Sequence, residues 1–302
     1  MMIRPNGIRS NEQTAVNNYF QKEIVGQRDE INKKAQAEFD EFVRKLKAAG
    51  VKVIVDKYGA TSEMPDAIFP NNWISFHSNG NVALYPMFAE NRRIERRTEV
   101  FELIETNGFK ISEIIDYTSA EVEGLFLEGT GSLILDRVNR KAYCALSPRA
   151  DEDLVIEFCE DFEYTPIIFT AYQNFRKERL PIYHTNVMMC IAESFAVICT
   201  SSIDDKKERK QVLSSLKDDG KEIIEITEIQ MHQFAGNMLQ VKGADQQPVL
   251  VMSASAYQSL RADQIDKIEQ HCSILYSDIS TIETLGGGSA RCMMAEVFLP
   301  SV

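Results

Sequence analysis

Short β-branched runs recur along the chain at residues 51–56 (VKVIVD), 110–115 (KISEII), 165–170 (TPIIFT), 222–227 (EIIEIT) and 273–277 (SILYS). Their first residues lie 59, 55, 57 and 51 positions apart, and each has the length and residue types of a strand. Four of them lead into a loop containing Gly or Asn and then two strand-like runs joined by a turn: NNWISFHSNGNVALYPM, GTGSLILDRVNRKAYCALS, HTNVMMCIAESFAVICTSS and GNMLQVKGADQQPVLVMS. The fifth leads into GGGSARCMMAEVFLP, for which the N-terminal MMIRP is the expected hairpin partner. Apolar residues at helical spacing fill 28–49, 94–106, 151–162, 204–216 and 256–271, each ahead of a lone strand. The pattern therefore reads helix, strand, hairpin, five times over.

A unit of this size cannot bury its own apolar face, so five of them are expected to pack around a shared axis as one closed α/β assembly. Joining the two chain ends in one sheet also removes exposed strand edges. On this reading residues 1–302 form a single domain. A plain two-domain α/β protein is the alternative that 302 residues allow.

Composition narrows the function classes. Hydrophobic residues make up 44% of the chain and charged residues 26%, as in ordinary globular proteins, which argues against disorder or a membrane bundle. The apolar stretches fall far short of the ~20 residues a bilayer span needs, and the opening MMIRPNGIRSNEQ has no apolar core of a secretory signal. A cytoplasmic location is expected. The net charge of −12 repels phosphate backbones and anionic lipid, so neither nucleic acid nor membrane is an expected partner. Assembly into a homo-oligomer is left open. Six cysteines, Cys144, Cys159, Cys190, Cys199, Cys272 and Cys292, show no C-x-x-C spacing and read as mostly reduced core residues.

In a closed ring the loops entering the hairpins converge at one end. They carry Asp66 with Asn71 and Asn72, then Glu128, then His184 with Asn186, then Asn237, then Cys292. Separately each has a plain reading: turn formers for Asp66, Asn71 and Asn72, a bend cap for Asn237, core packing for His184 and Cys292. Together they supply a nucleophile, a base and a carboxylic acid, the set needed for covalent hydrolysis of a resonance-stabilised carbon–nitrogen bond. Gly286, Gly287 and Gly288 allow close backbone approach to a ligand or simply a tight turn. Gly129 and Gly131 lack the Lys-Ser/Thr of a P-loop, and there is no dinucleotide fingerprint. His77, His232 and His271 have no partner at metal-ligand spacing. No cofactor or metal is expected. Arg96 and Arg97 read as a solvated helix start, and Arg291 as a structural salt bridge rather than a partner of the thiol or of a carboxylate.

The order of motifs resembles the guanidine-modifying superfamily of arginine deiminases, dimethylarginine hydrolases and amidinotransferases, most closely its citrulline-hydrolase-like branch. The resemblance spans PDAIFPNNW at 65–73, YPMFAENRRIERR at 85–97, LEGTG at 127–131, LSPRAD at 146–151, YHTN at 183–186 and GGGSARC at 286–292. It implies a five-bladed, pseudo-fivefold α/β propeller (the pentein fold) of repeated ββαβ units. It implies Cys292 as nucleophile, His184 as general acid/base and Glu128 as the acid holding substrate nitrogens. Asp66, Asn71 and Asn72 match substrate-contacting positions, and Arg92 and Arg149 resemble the arginines that clamp a small amino-acid substrate by its α-carboxylate. Where deiminases carry Asp, this chain carries Asn72 and Asn186. A buried guanidinium lacking two carboxylates is poorly compensated, whereas a neutral ureido group wants the mixed donors and acceptors of an amide. The expected activity is thus cysteine-dependent hydrolysis of citrulline to ornithine, ammonia and carbon dioxide. The alternatives are an arginine or dimethylarginine deiminase-type hydrolase, an amidinotransferase, or a catalytically silent amino-acid-binding protein.

Overall fold

A computed structural model describes residues 1–22, 26–57 and 59–302. Its repeated piece is a three-stranded sheet, in which an antiparallel hairpin is joined by a third strand running parallel to the hairpin's second. The first pairs Ile74–Phe76, Asn81–Leu84 and Glu113–Asp116. The second pairs Leu133–Asp136, Lys141–Leu146 and Thr165–Thr170. The third pairs Met189–Ile191, Phe195–Ile198 and Glu222–Glu225. The fourth pairs Leu239–Lys242, Pro248–Ser253 and Ser273–Ser277. Each lone strand therefore closes the sheet begun by the hairpin before it. A helix links the two because a parallel return needs a crossover.

The chain ends build a related but smaller arrangement. Met2–Ile3 runs parallel to Val55–Asp56, and Met1 exchanges backbone hydrogen bonds of 2.7 and 3.0 Å with Ala295. The expected pairing of MMIRP with the C-terminal segment is thus present. The 51–56 run keeps two residues in strand conformation, the 110–115 run is a strand at Glu113–Asp116, and the 222–227 run ends at Glu225.

The helix Arg28–Ala48 shows why these segments are helical: Ala35, Phe39, Phe42, Val43 and Leu46 recur every three or four residues and are buried, each large side chain contributing about 1.5–3 kcal/mol. Glu152–Asp161 starts at Asp151, whose carboxylate accepts from the amides of Asp153 and Leu154. Lys206–Asp218 starts at Asp205 in the same way.

Three expectations need correction. The stretch 256–271 is two helices, Ala254–Ser259 and Ala262–Glu269, with extended backbone at Leu260 and Arg261 between them. There Gln264 Oε1 accepts the Arg261 amide, restarting the helix. The stretch 94–106 is a 3₁₀ turn, Glu90–Glu95, then a helix, Glu99–Thr106, because buried Arg92 is tied inward at the turn. Arg96 and Arg97 are half-buried ion-pair partners of Glu121 and Asp56 rather than a solvated helix start. The hairpin Tyr172–Phe175 with Glu178–Pro181 and the helix Ser280–Gly286 were not legible in the periodicity.

All six cysteines are unpaired and buried, and among the described residues no helix is long and apolar enough to cross a membrane.

Candidate active site

The four hairpin-leading loops each take a short helical turn just before the first strand or end directly on it. Pro70–Asn72 and Thr185–Val187 are 3₁₀ turns, and Gly129–Ser132 is a single helical turn. All three are buried. Asn72 from the turn Pro70–Asn72, His184 just ahead of Thr185–Val187 and the Gly286–Cys292 segment meet in one small pocket whose lining also includes Asp66, Arg92 and Arg149. The imidazole and the thiol separated by 108 positions in the sequence therefore share one wall-to-wall space. Its free volume of about 10 Å³ corresponds to roughly one water.

Cys292 is 3% exposed, and two amides hold its sulfur: Asn186 Nδ2 at 3.3 Å and Asn237 Nδ2 at 3.2 Å. Asn237 Oδ1 also accepts the Cys292 backbone N–H at 3.4 Å. Asn237, which reads in the sequence as a bend cap, is thus a contact of the candidate nucleophile. The one sequence signal for it was its place ahead of the fourth hairpin, equivalent to that of Asn186 ahead of the third.

His184 Nε2 lies 2.7 Å from Glu128 Oε2. Glu128 also accepts from Arg149 Nη1 at 3.3 Å and from the Phe88 amide at 3.1 Å. Burial alone would raise this carboxyl. Arg149, the His184 hydrogen bond and Arg92 outweigh it and hold Glu128 well below the usual carboxylate range. Burial pulls His184 down to about 4 against the opposing pull of Glu128. An ionised carboxylate only accepts, so the neutral ring carries its proton on Nε2 and leaves Nδ1 as the basic nitrogen. A Cβ at Gly131 would stand 2.9 Å from that ring edge and 2.4 Å from Asn72 Nδ2; glycine keeps the space open.

Both candidate clamp arginines are fully buried and engaged. Arg92 donates to Glu95 at 2.8–3.2 Å and to Asn72 Oδ1 at 2.8 Å, and it, rather than Arg93, faces the pocket. Burial pushes Glu95 up to about 7 against the attraction of Arg92. Arg149 donates to Thr14 O, Asn17 Oδ1 and Glu128. Asp66 accepts from Asn11 at 2.8 Å and Thr14 at 3.3 Å, and burial raises its pKa against the attraction of Arg92. Asn11, Thr14, Asn17 and Asn18, all from the N-terminal segment, were missed in the sequence because polar residues without a period carry no such signal. Gly286 and Gly288 are fixed by packing on Phe69, and Gly287, at φ +62°, caps the helix Ser280–Gly286.

Two side chains lining the pocket carry buried polar atoms with no hydrogen-bond partner among the described residues, Asp66 through Oδ1 and Asn72 through Nδ2, as does Asn186 through Oδ1 at the sulfur, whereas Asn71, unpaired at Oδ1 and Nδ2, is not among the residues that line the pocket. Buried polar groups are nearly always paired, so a cluster of orphaned acceptors and donors beside a thiol marks a place built for a polar ligand. Arg291 points elsewhere, to Glu296 at 3.2 Å and Met294 O at 2.9 Å. Its salt bridge is the one expected.

The sequence model of a family described as N,N-dimethylarginine dimethylhydrolase, eukaryotic, matches residues 4–299. Among solved structures, apo ArgZ, an arginine dihydrolase from the ornithine–ammonia cycle in cyanobacteria, superposes with TM-score 0.74 at 17% identity over 100% of this chain. This chain spans 40% of that one. The N-terminal domain of ArgZ bound to substrate gives 0.71 at 16% identity, covering 99% of this chain and 98% of that domain. A dimethylarginine dimethylaminohydrolase carrying an S-methyl-L-thiocitrulline adduct gives 0.61 at 15% identity over 97% and 96% of the two chains. At these identities the likeness is one of fold. No curated protein matches by sequence.

Proposed function

The chain belongs to the eukaryotic-type N,N-dimethylarginine dimethylhydrolase family, within the guanidine-modifying superfamily of carbon–nitrogen hydrolases, and on that footing we propose that it hydrolyses the ureido group of citrulline through a covalent adduct on Cys292. The four hairpin-plus-strand sheets and the sheet made by the chain ends are read as five ββαβ blades of one propeller over residues 1–302. Four sheets of one topology and the Met1–Ala295 pairing support that reading.

In this mechanism His184 Nδ1 takes the thiol proton while Sγ bonds to the ureido carbon, and Glu128 balances the imidazolium that forms. The Asn186 and Asn237 amides stabilise the sulfur anion. The imidazolium then protonates a departing nitrogen, the carbon–nitrogen bond breaks, and a carbonyl stays on sulfur. Water, deprotonated by His184, cleaves the carbon–sulfur bond and leaves a carbamic acid. Its breakdown completes the balance: citrulline plus one water gives ornithine, ammonia and carbon dioxide, whichever nitrogen departs first. Asp66, Asn71, Asn72, Arg92 and Arg149 orient the amino acid, the arginines facing its carboxylate once the N-terminal segment yields Arg149.

The observation that carries the choice of a ureido substrate is the amide character of the wall at the sulfur, where Asn186 and Asn237 contact it and the orphaned Asn72 Nδ2 and Asn186 Oδ1 offer a donor and an acceptor. A second reading, arginine or a methylated arginine, draws on the arginine dihydrolase and dimethylargininase neighbours and on Asp66. Glu128 is paired to Arg149 and Glu95 to Arg92 at short range, whereas Asp66 stands 3.9 Å from Arg92 and has one oxygen without a hydrogen bond, which makes it the carboxylate most open to a cation. Ammonia release from citrulline, arginine and dimethylarginine, each against a Cys292→Ser control, separates the readings. Release from arginine alone overturns the ureido assignment, and intact mass without an adduct at Cys292 overturns the covalent route.

A further inference from the structure

A second, larger cavity of about 690 Å³ lies away from the thiol pocket and shares none of its lining residues. It opens at the other ends of the same hairpins. Successive residues divide between the two spaces. Arg291 faces the cavity and Cys292 the pocket, while Met238 faces the cavity and Asn237 bonds the sulfur. The volume falls in the range of small-molecule sites, and the walls are largely apolar, formed by Val53, Ile191, Met238, Val241 and Val297 among others.

Its charge runs against that of the molecule. Lys52, Arg137, Lys242 and Arg291 line it against Asp136, Glu193 and Glu296. Buried Lys221, 3.0 Å from Asp136, cancels one of those acids from behind. The local balance is +4 −3 +1, or +2, in a chain of net charge −12. Arg291 is 6% exposed. Among the described residues its side-chain hydrogen bonds go to Met294 O and Glu296 Oε2, while a guanidinium carries five N–H donors in a planar fork. A desolvated cation at the wall of an apolar cavity suits a singly charged anion with an apolar body. Phosphate would lose its hydration there for little return.

We propose that this cavity is a binding site for a small organic carboxylate, its carboxylate on Arg291 and its apolar body against Ile191 and Met238. The site is separate from the substrate pocket, although Arg291 and Met238 are chain neighbours of Cys292 and Asn237.

The test is calorimetric titration of the whole protein with hexanoate, with hexylammonium as the charge-reversed probe, in the absence and presence of saturating ornithine. No turnover is involved, so the result is independent of the citrulline assignment. The proposal expects one hexanoate site per chain, unchanged within about twofold by ornithine, no response to hexylammonium, and at least tenfold weaker binding in Arg291→Met, the size of a lost charge-assisted hydrogen bond. Ile191→Trp, which fills the cavity without touching the cation, is expected to abolish binding and decides the matter if Arg291→Met does not fold. Absence of hexanoate binding, equal binding of the two probes, displacement by ornithine, or undiminished binding in Ile191→Trp each overturns it.

Discussion

At the scale of single residues, the site is a set of side chains whose roles follow from what each can donate or accept. The amide of Asn237 reaches the sulfur and its carbonyl takes the Cys292 amide proton, so Asn237→Ala removes a hydrogen bond to an anion worth about 1.5–3 kcal/mol. The expected outcome is a tenfold to hundredfold loss of kcat with a small change in KM, together with slower alkylation of Cys292. A change in KM alone would place Asn237 with the substrate instead. Of the candidates that the motifs carried, Cys292, His184, Asp66 and Asn72 line one pocket, with Glu128 and Asn186 bonded to His184 and Cys292, whereas Asn71 does not line it. Arg92 and Arg149 were readable as candidate clamps for a carboxylate but not as buried, already paired cations. Their partners Glu95, Asn17 and Thr14 are found only by folding the chain.

At the scale of elements, short turns do the positioning. The turn Gly129–Ser132 brings Gly131 against the His184 ring and Asn72. Gly131→Ala is expected to cut activity at least tenfold, because a Cβ 2.4 Å from Asn72 Nδ2 must displace a side chain of the pocket. Its urea midpoint should move little, since the neighbours affected are side-chain ends. A collapse of stability in proportion to activity would assign the glycine to folding rather than to the site. By contrast Phe42→Ala, deep in the face of the helix Arg28–Ala48, is expected to cost about 3–5 kcal/mol of unfolding free energy with the kinetics of the remaining folded protein unchanged. The strand at 165–170 and the helix 28–48 could be read from periodicity because one face of each is buried. The hairpin Tyr172–Phe175 with Glu178–Pro181 could not, its residues being mostly half-exposed and its pairing two-stranded.

At the scale of the whole molecule, burial of ionisable groups couples the site to stability. His184 is pulled from 6.5 down to about 4, and His77, packed against the Phe162 ring, down to about 2, in both cases chiefly by burial. Below about 6.5 the unfolded chain takes up these protons and the folded protein does not, so stability falls as pH falls. For His184 the window runs from 6.5 to about 4 and is worth roughly 3 kcal/mol at its lower end. Glu128, held low, adds a loss of the same sign below its unfolded value of 4.5. Glu95, pushed up to about 7, takes up a proton in the folded protein first and opposes this loss over the same range, so the contribution of His184 is read by difference: from about pH 7 to about pH 4.5 the urea midpoint should fall more steeply in the wild type than in His184→Gln, and equal slopes would contradict a buried neutral imidazole. The charge of −12 and the recurring strand-and-hairpin pattern were plain in the sequence, whereas the second cavity, lined by residues from seven separated segments, was not. The most direct test of the central claim is product analysis with citrulline as sole substrate. The account predicts ornithine and ammonia in equal amounts, a transient mass increase on Cys292, and neither product from Cys292→Ser. Intact citrulline beside active turnover of arginine would contradict it.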